Sequence, residues 1–531
     1  MLNTLKKNHL FFIFLIFYFF IGAYLSIING ITSDEFHQQK NWEIHLSAII
    51  NFFKYGNYDE LLNHGDRYQG VAFNLIAQPF SILLNKFVSN LNDLTTYGGW
   101  LVSKHVAVFL IFSISGIFFY FLSYKITNNL IFAFISSLLY LLYPYLFGHS
   151  QFNEKDIPFL SFWLINTYIS LTIVESLFLE EKISNKKVIL LSFLTAFLIG
   201  IRTVGLLICF QYLISIVILF NIKKININNF VIKNWKFFII FIFFLFIFIY
   251  ILNPIFWHNP LLEVTNSINV MSKFWHEICT LTLGTCMVSS DLPASYYFIW
   301  LFFKLPILII IGILLFPFVE KKIFENELVS IYYLTLLLSF FLILFILILK
   351  NVAIYDELRH VLFLVPLIFL VGLTNLFYFN KKLFISLGSL VIFFFLMENF
   401  SLYPYQYTWL NSFAKFTNIQ KSFEIDYWGV SNKNLAKKIV QYSEENSIDK
   451  NTCVYGDIFA KEFLLEKNFT CIKTYNKLDA ATEKTLFAYK NLRNVKRSDP
   501  KDCKLILNET YNYTFSKKKI SVGTAWFCNY N

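Results

Sequence analysis

Long apolar runs separated by short polar segments occupy most of the first 403 residues. A helix needs about 20 mostly apolar residues to cross the hydrocarbon of a bilayer, because backbone groups without hydrogen-bond partners are costly there. The pattern predicts about eleven spans, near residues 9–29, 103–124, 129–147, 157–177, 188–201, 203–221, 237–254, 297–318, 329–349, 358–379 and 383–402. Gly200-Ile201-Arg202 interrupts the stretch 188–221, which forms either two short spans or one kinked helix. Two spans give the better alternation of charge.

The polar segments on one side of the predicted membrane differ in length. The first loop, residues 30–102, contains amphipathic stretches from Trp42 to Phe53 and from Ala72 to Phe87. Such stretches are typical of helices that lie in the plane of the membrane interface. We therefore expect interfacial helices in this loop.

The apolar runs end near residue 404. The tail predicts one helix near Asn432–Glu445 and short strands near residues 452–455, 470–474, 485–489, 504–507 and 520–527. The predicted fold class is an all-α polytopic membrane protein with a small C-terminal α/β domain outside the membrane. Its predicted domains are a transmembrane domain, residues 1–403, and a soluble domain, residues 404–531.

Composition excludes a soluble enzyme, and charge predicts the orientation. The 531 residues are 56% hydrophobic and 15% charged, whereas soluble domains carry about 25% charged residues. The net charge is +11. Lysines gather in alternate short loops, as the positive-inside rule requires of cytoplasmic loops. These loops contain Lys6, Lys7, Lys125, Lys182, Lys186, Lys187, Lys223, Lys224, Lys233, Lys236, Lys321, Lys322, Lys381 and Lys382. The N-terminus is predicted inside and the C-terminus outside, with the first span a retained anchor.

Cysteine positions agree with this orientation. Six of the seven cysteines lie in segments predicted to be outside, where disulfides form. Cys279 and Cys286 are close enough in sequence to close a small loop. The other four allow three pairings that the sequence leaves open, or they remain unpaired. They are Cys453, Cys471, Cys503 and Cys528.

Acidic residues at the predicted outer ends of spans are the first candidates for chemistry. Asp34 and Glu35 follow the first span, and Asp156 begins the fourth after the polar block GHSQFNEKD. A carboxylate at a membrane surface suits a general base that takes a proton from an acceptor hydroxyl. The alternatives are a solvated loop start or a helix cap for the first pair and helix capping for Asp156.

Cations at the same face are the second group of candidates. Arg202, Arg359, His360 and Lys155 are placed to bind a phosphate, because arginine forms paired hydrogen bonds with phosphate oxygens. The alternatives for the arginines are snorkelling and, for Arg359, pairing with Asp356.

Motifs for common cofactors are absent from the sequence. No HExxH motif or paired Cys-x-x-Cys spacing supports a metal site, and no cofactor is predicted, although a divalent cation is left open. No Walker loop, dinucleotide fingerprint or Gly-x-Ser-x-Gly motif is present, which argues against ATP-driven transport and serine hydrolysis. The expected partners are membrane lipid and a lipid-linked donor, without nucleic acid.

Several ordered blocks together resemble a known family. They are the outside Asp-Glu pair, GHSQFNEKDIPF (148–159), NPIFWHNPL (253–261), LPASYYFIWLFFKLPI (292–307), YDELRHVLFLVPL (355–367), YPYQYTWLN (403–411) and FEIDYWGVS (423–431). With many spans and a soluble outer tail, they resemble the GT-C membrane glycosyltransferases. The most similar branch is that of the protein mannosyltransferases using dolichyl-phosphate-mannose and the aminoarabinose transferases of bacterial inner membranes, which is glycosyltransferase family 39-like.

The resemblance implies inverting transfer of a sugar from a polyprenyl phosphate to a protein, lipid or glycan acceptor at the periplasmic face of the inner membrane. It implies that Asp34 is the general base, with Glu35 beside it, and that Asp156 belongs to the catalytic site. Arg202 and Arg359 are assigned to the departing phosphate by position and chemistry. Two other functions stay open: a secondary transporter or lipid flippase, which predicts broken helices in matching halves, and a noncatalytic envelope scaffold.

Overall fold

The computed structural model of the chain describes residues 9–271, 277–493, 498–514, 516 and 518–530. Lys6 and Lys7, used above for orientation, lie outside the described residues. The α-helices α1 to α22 are, in order, His9–Ile28, Glu35–Tyr55, Asp59–Leu62, Asn74–Asn92, Thr96–Ser103, His105–Thr127, Leu130–Leu142, Pro144–His149, Asp156–Phe178, Asn185–Ile201, Ile208–Lys223, Ile227–Leu252, Pro260–Met271, Ser295–Lys304, Ile307–Leu314, Phe316–Phe324, Glu327–Leu349, Val365–Phe379, Lys381–Leu402, Ile419–Ser422, Asn432–Glu445 and Lys461–Glu466. The strands β1 to β7 are Cys279–Thr282, Thr285–Val288, Cys453–Gly456, Ile472–Thr474, Thr485–Asn491, Cys503–Tyr511 and Ile520–Asn529.

Helices occupy all eleven predicted span positions. In the described part of the chain, eight are long and apolar enough to cross a membrane: His9–Ile28, Thr96–Thr127, Asp156–Phe178, Thr203–Lys223, Ile227–Leu252, Glu327–Leu349, Arg359–Phe379 and Lys381–Leu402. The third predicted span is represented by the 13-residue α7 and the fifth by the 17-residue α10. The predicted polytopic helical fold is therefore confirmed.

The eighth predicted span is not a straight helix. Its two halves, α14 and α15, meet at an angle of 115°. Leu305 and Pro306 between them are extended, with ψ of 138° and 142°. Proline has no N–H to donate and disfavours a helical residue before it, so Pro306 ends α14 and redirects the chain.

Asparagines begin four of the membrane-embedded helices. The side chains of Asn129, Asn226, Asn326 and Asn380 accept hydrogen bonds from backbone N–H groups in the first turns of α7, α12, α17 and α19. Such caps satisfy donors that the helix itself leaves without partners.

The surface of the helical region is apolar, as lipid contact requires. Of the 26 residues of α12, Phe230 alone is buried, although the helix is almost wholly apolar after Lys236. A water-exposed helix of this composition would be a large apolar patch. The chain is an integral membrane protein.

The long first loop forms helices at the two predicted positions and packs against the end of α10. Its two long helices are α2 and α4. Between them, Gly70 lies so close to the end of α10 that a β-carbon would be 2.3 Å from the carbonyl oxygen of Gly200. The N–H of Ala72 donates to that same oxygen at 3.1 Å. The loop is thereby held beside Arg202, at the break between α10 and the following span.

The C-terminal residues form a five-stranded mixed sheet in the order β4-β3-β5-β7-β6. Strand β3 is parallel to β4 and β5, whereas β7 is antiparallel to β5 and β6. Disulfides join Cys453 to Cys471 and Cys503 to Cys528, which selects one of the three pairings left open by the sequence. The third disulfide, Cys279–Cys286, closes the β1-β2 hairpin as expected.

The segment after the last span packs against the polar block that precedes the fourth span. A β-carbon on Gly148, in α8, would lie 2.1 Å from the backbone nitrogen of Tyr407. Two backbones approach here as only glycine allows, so Gly148 is required for the contact.

We expect Gly148→Ala to destabilise the protein by about 1–3 kcal/mol, because the added methyl group overpacks against backbone that cannot rotate away. The measurement is the apparent melting temperature of the purified protein in detergent. Gly65→Ala is the matched control, since nothing lies within 4 Å of its β-carbon position. Equal melting temperatures for both variants would contradict the close contact.

Candidate functional site

Charged residues from the ends of several membrane helices meet around Arg359. Its Nη2 lies 2.8 Å from Asp34 Oδ2, and its Nη1 lies 3.2 Å from Asp356 Oδ2. Its Nε lies 3.6 Å from Asp156 Oδ2. Arg202 pairs with the other oxygen of Asp156. The structure thus brings Asp34, Asp156, Arg202 and Arg359 together, although they are far apart in sequence.

Asp156 is free to bind arginine because a neighbour performs the capping. Asn153 Oδ1 accepts the backbone N–H groups of Lys155 and Asp156, at 3.2 and 2.8 Å. Its amide nitrogen donates to Asp156 Oδ2 at 3.0 Å and orients that carboxylate. Asp156 itself is 3% exposed. The capping alternative considered for Asp156 therefore belongs to Asn153.

Asp34 stands at the start of α2 but makes no capping hydrogen bond with its side chain. Its carboxylate instead bonds Arg359 and is 37% exposed, far more than the other carboxylates around that arginine. The backbone N–H of the preceding Ser33 donates to the carbonyl of Trp428 at 3.0 Å. Asp34 is therefore the carboxylate of the cluster that an incoming molecule can reach.

A strained turn at residues 355–359 positions Arg359. Asp356 and Glu357 both have positive φ, 54° and 66°, which costs non-glycine residues of order 1–3 kcal/mol each. Glu357 Oε2 lies 2.7 Å from Lys304 Nζ, and both side chains are 1% exposed. Lys304 is the last residue of α14, just before the Pro306 bend. This buried ion pair anchors the turn from which Arg359 reaches the cluster.

Aromatic rings flank the guanidinium of Arg359. Its Cζ lies 4.7 Å from the ring centroid of Trp428 and 5.1 Å from that of Tyr355. Such cation–π contacts are favourable and hold the guanidinium plane. The predicted phosphate ligand His360 contacts the Tyr355 ring at 4.5 Å between centroids and forms no ion pair among the described residues.

Glu35 is separated from this cluster. It is 2% exposed, and its Oε1 accepts the N–H and hydroxyl of Thr32 at 2.7 and 2.8 Å. The same oxygen lies 3.1 Å from His105 Nε2, in the second span. Glu35 therefore holds the turn that presents Asp34 and does not itself face the arginines.

The C-terminal domain adds a cation that sequence reasoning missed. Arg493, two residues beyond β5, places its Nη2 3.1 and 3.0 Å from the two oxygens of Asp356. Its Nη1 donates to the carbonyl of Tyr427 at 3.0 Å. No local pattern marks this residue, because its partner is 137 positions away. The pairing of Arg359 with Asp356, by contrast, was one of the alternatives that the sequence raised.

The electrostatics favour anions. Four cations, Arg202, Arg359, Arg493 and Lys155, outnumber the three carboxylates by one charge. Burial acts to raise the pKa of Asp34, but the charges of Arg359 and Arg493 outweigh it and hold that pKa below its ordinary value. Burial and the nearby charge of Arg202 lower the pKa of Lys155 to about 8. Lys155 Nζ donates to Gln69 of the first loop at 3.2 Å.

The carboxylates of the cluster are poorly suited to a divalent cation. Asp34, Asp156 and Asp356 each have a guanidinium partner, which a metal would have to displace. Among the described residues, the group with metal-ligand spacing is Cys453, Cys471 and Glu483, and its two cysteines form a disulfide.

The fold and the site define an integral membrane protein whose helices carry an arginine–carboxylate cluster at one end. Two solved structures align with it over nearly the whole chain: those of ArnT from Cupriavidus metallidurans bound to undecaprenyl phosphate and in the apo state. Each alignment covers 98% of both chains, with 10% identity and a TM-score of 0.41 for the former and 9% and 0.44 for the latter. No protein-family model and no curated protein sequence matches the chain.

We expect Arg202→Gln to raise the pKa of Lys155 above about 8, because a neighbouring positive charge that opposes protonation is removed. Asp156→Asn should lower it, because a favourable negative charge is lost. The measurement is an NMR titration of the protein with 13C-methylated lysines, with Lys155→Arg identifying the signal. A lowered pKa of Lys155 in Arg202→Gln, or a raised one in Asp156→Asn, would contradict the cluster geometry.

Proposed function

We propose that the protein is a membrane glycosyltransferase that moves a sugar from a polyprenyl-phosphate carrier to an acceptor hydroxyl, with inversion at the anomeric carbon. One observation carries the proposal: a reachable carboxylate, Asp34, lies 2.8 Å from a buried arginine at the end of a bundle of apolar helices. The sequence blocks that resemble GT-C enzymes contain both residues, which supports the same function. The site is proposed to lie on the periplasmic side of the inner membrane.

Arg359, Arg202 and Lys155 would bind the phosphate of the donor. Guanidinium groups present several N–H donors to phosphate oxygens and keep their charge when buried. Arg359 and Arg202 each contact one oxygen of Asp156, so their positions are set before a donor binds. Such preorganised cations stabilise the charge that develops on the phosphate as it leaves.

Asp34 would be the general base. In the reaction, the acceptor oxygen attacks the anomeric carbon while the bond from that carbon to the phosphate oxygen breaks, and the electron pair leaves with the polyprenyl phosphate. The acceptor proton passes to the Asp34 carboxylate, which is ionised at neutral pH because its pKa is lowered. When a phosphate draws Arg359 toward itself, Asp34 loses part of its stabilising partner and becomes more basic.

The first loop would limit the access of water. Lys155 is tied to Gln69 of this loop, and Tyr68 next to it donates to Glu263 at 2.5 Å. Helix α4 exposes Leu75, Ile82 and Leu83 to its surroundings. An interfacial cover of this kind leaves an apolar route for a lipid tail and shields an activated sugar from hydrolysis.

We expect Asp34→Asn to lower the rate of sugar transfer by about 10²- to 10⁴-fold, because the general base is lost while the phosphate ligands remain. The assay is incubation of purified protein with polyprenyl-phosphate sugars and envelope acceptors. Asp59→Asn, an exposed acid of the same loop, is the control and should keep full activity.

Transfer that survives Asp34→Asn unchanged would show that Asp34 is not the base. If the wild-type protein transfers no sugar but moves donor lipid across a liposome bilayer, the flippase alternative replaces the proposal.

We expect Arg359→Lys to bind the donor about 10- to 100-fold more weakly, because one ammonium group cannot replace the several charge-assisted hydrogen bonds of the guanidinium. The measurement is the KM for the lipid-linked sugar, or the Kd for undecaprenyl phosphate where turnover is too slow. An unchanged affinity would remove Arg359 from the phosphate site.

A further inference from the structure

Arg493 brings a positive charge of the C-terminal domain into the cluster. Arg493 contacts both oxygens of Asp356 and the carbonyl of Tyr427, as described above. The Arg493 side chain is 25% exposed, whereas Asp356 is 1% exposed. A residue just beyond β5 therefore supplies a counter-charge to the buried carboxylate of Asp356.

Asp356 has two cationic partners among the described residues, and one of them is the central arginine. Arg359 Nη1 lies 3.2 Å from the same Oδ2 oxygen that Arg493 contacts at 3.0 Å. A buried carboxylate without compensation is strongly unfavourable. Without Arg493, Asp356 would depend on Arg359 alone.

Pairing with Asp356 competes with other roles of Arg359, because this arginine also contacts Asp34 and Asp156. A phosphate can bind a guanidinium only by competing with the carboxylates around it. Asp156 has Arg202 as a second partner, and Asp356 has Arg493. Asp34 is then the carboxylate of the three whose ion pair, among the described residues, is with Arg359 alone.

We propose that Arg493 is a positioning residue: by neutralising Asp356, it leaves Arg359 able to bind the phosphate of a lipid-linked donor. The inference rests on the proposed function and goes beyond it, because it gives the C-terminal domain a part in donor binding. It also predicts that the harm done by losing Arg493 comes from Asp356, and that removing the Asp356 charge repairs it.

Attachment of the domain does not depend on Arg493. Lys433 in α21 donates to Asn92 Oδ1 at 2.7 Å and to the carbonyl of Ile28 at 2.5 Å. Ser401 in α19 donates to the carbonyl of Asn512 at 2.7 Å. Loss of Arg493 can therefore be separated from loss of the domain.

The test compares the affinity of the full-length protein for undecaprenyl phosphate in lipid nanodiscs, without a sugar or an acceptor. The variants are Arg493→Gln, Asp356→Asn and the double variant. Lys450→Gln, which removes one positive charge from the exposed Lys450–Glu444 ion pair of the same domain, is the matched control. Melting temperatures are recorded for every variant.

We expect Arg493→Gln to weaken binding about tenfold or more, in line with loss of one charge-assisted contact at the site. The affinity of the double variant should be within about threefold of that of the wild type. The neutral amide that replaces the Asp356 carboxylate forms no ion pair with Arg359, so Arg359 remains able to bind the phosphate. The control should bind as the wild type does. If Arg493→Gln fails to fold, Arg493→Lys takes its place, with an intermediate affinity expected.

Two outcomes would overturn the inference while leaving the proposed function in place: wild-type affinity in Arg493→Gln, or equal weakness of the single and double variants, which indicates a purely structural role. A wild-type protein that binds no polyprenyl phosphate would overturn the proposed function, and this role with it.

Discussion

The site depends on a single guanidinium shared by three carboxylates. Arg359 contacts Asp34, Asp356 and Asp156, and two of these carboxylates have a second arginine each. In a low-dielectric environment no member of such a cluster is tolerated alone, so every element that contributes one is held to the others. The cluster therefore sets the relative positions of helix ends, of the first loop and of the C-terminal sheet.

Rigid contacts around the cluster give it a defined shape. The turn at 355–359 is strained, and the fully buried Lys304–Glu357 ion pair holds it in place. Gly70 and Gly148 allow backbones to approach where any side chain would collide. These features fix the segments that carry Arg202, Asp156 and Arg359. An arrangement of that kind suits chemistry in which charge develops at one fixed place.

Much of the fold could be predicted because its signals are local. Apolar runs located the spans, Asn432–Glu445 was recognised as a helix to the residue, and five short β-type runs matched the five strands of the sheet. The bend at Pro306 was missed, because an apolar run continues through it and hydropathy does not register a missing N–H. The disulfide pairing was left open, since spacing alone does not tell which strands become neighbours.

The sequence by itself determined that this is a membrane protein, where its helices lie, and which charged residues stand at the ends of its spans. Periodicity and composition suffice for these, because each depends on neighbours within about 20 residues. Tertiary structure alone decided which of those charges meet. In the folded protein Glu35 pairs with His105, away from the arginines, and Asp34 pairs with Arg359 across 325 positions. Arg493 of the C-terminal domain joins the same cluster through Asp356. The physical reason is that ion pairs act through space, and only the packed fold determines which distant side chains come within a few ångströms of each other.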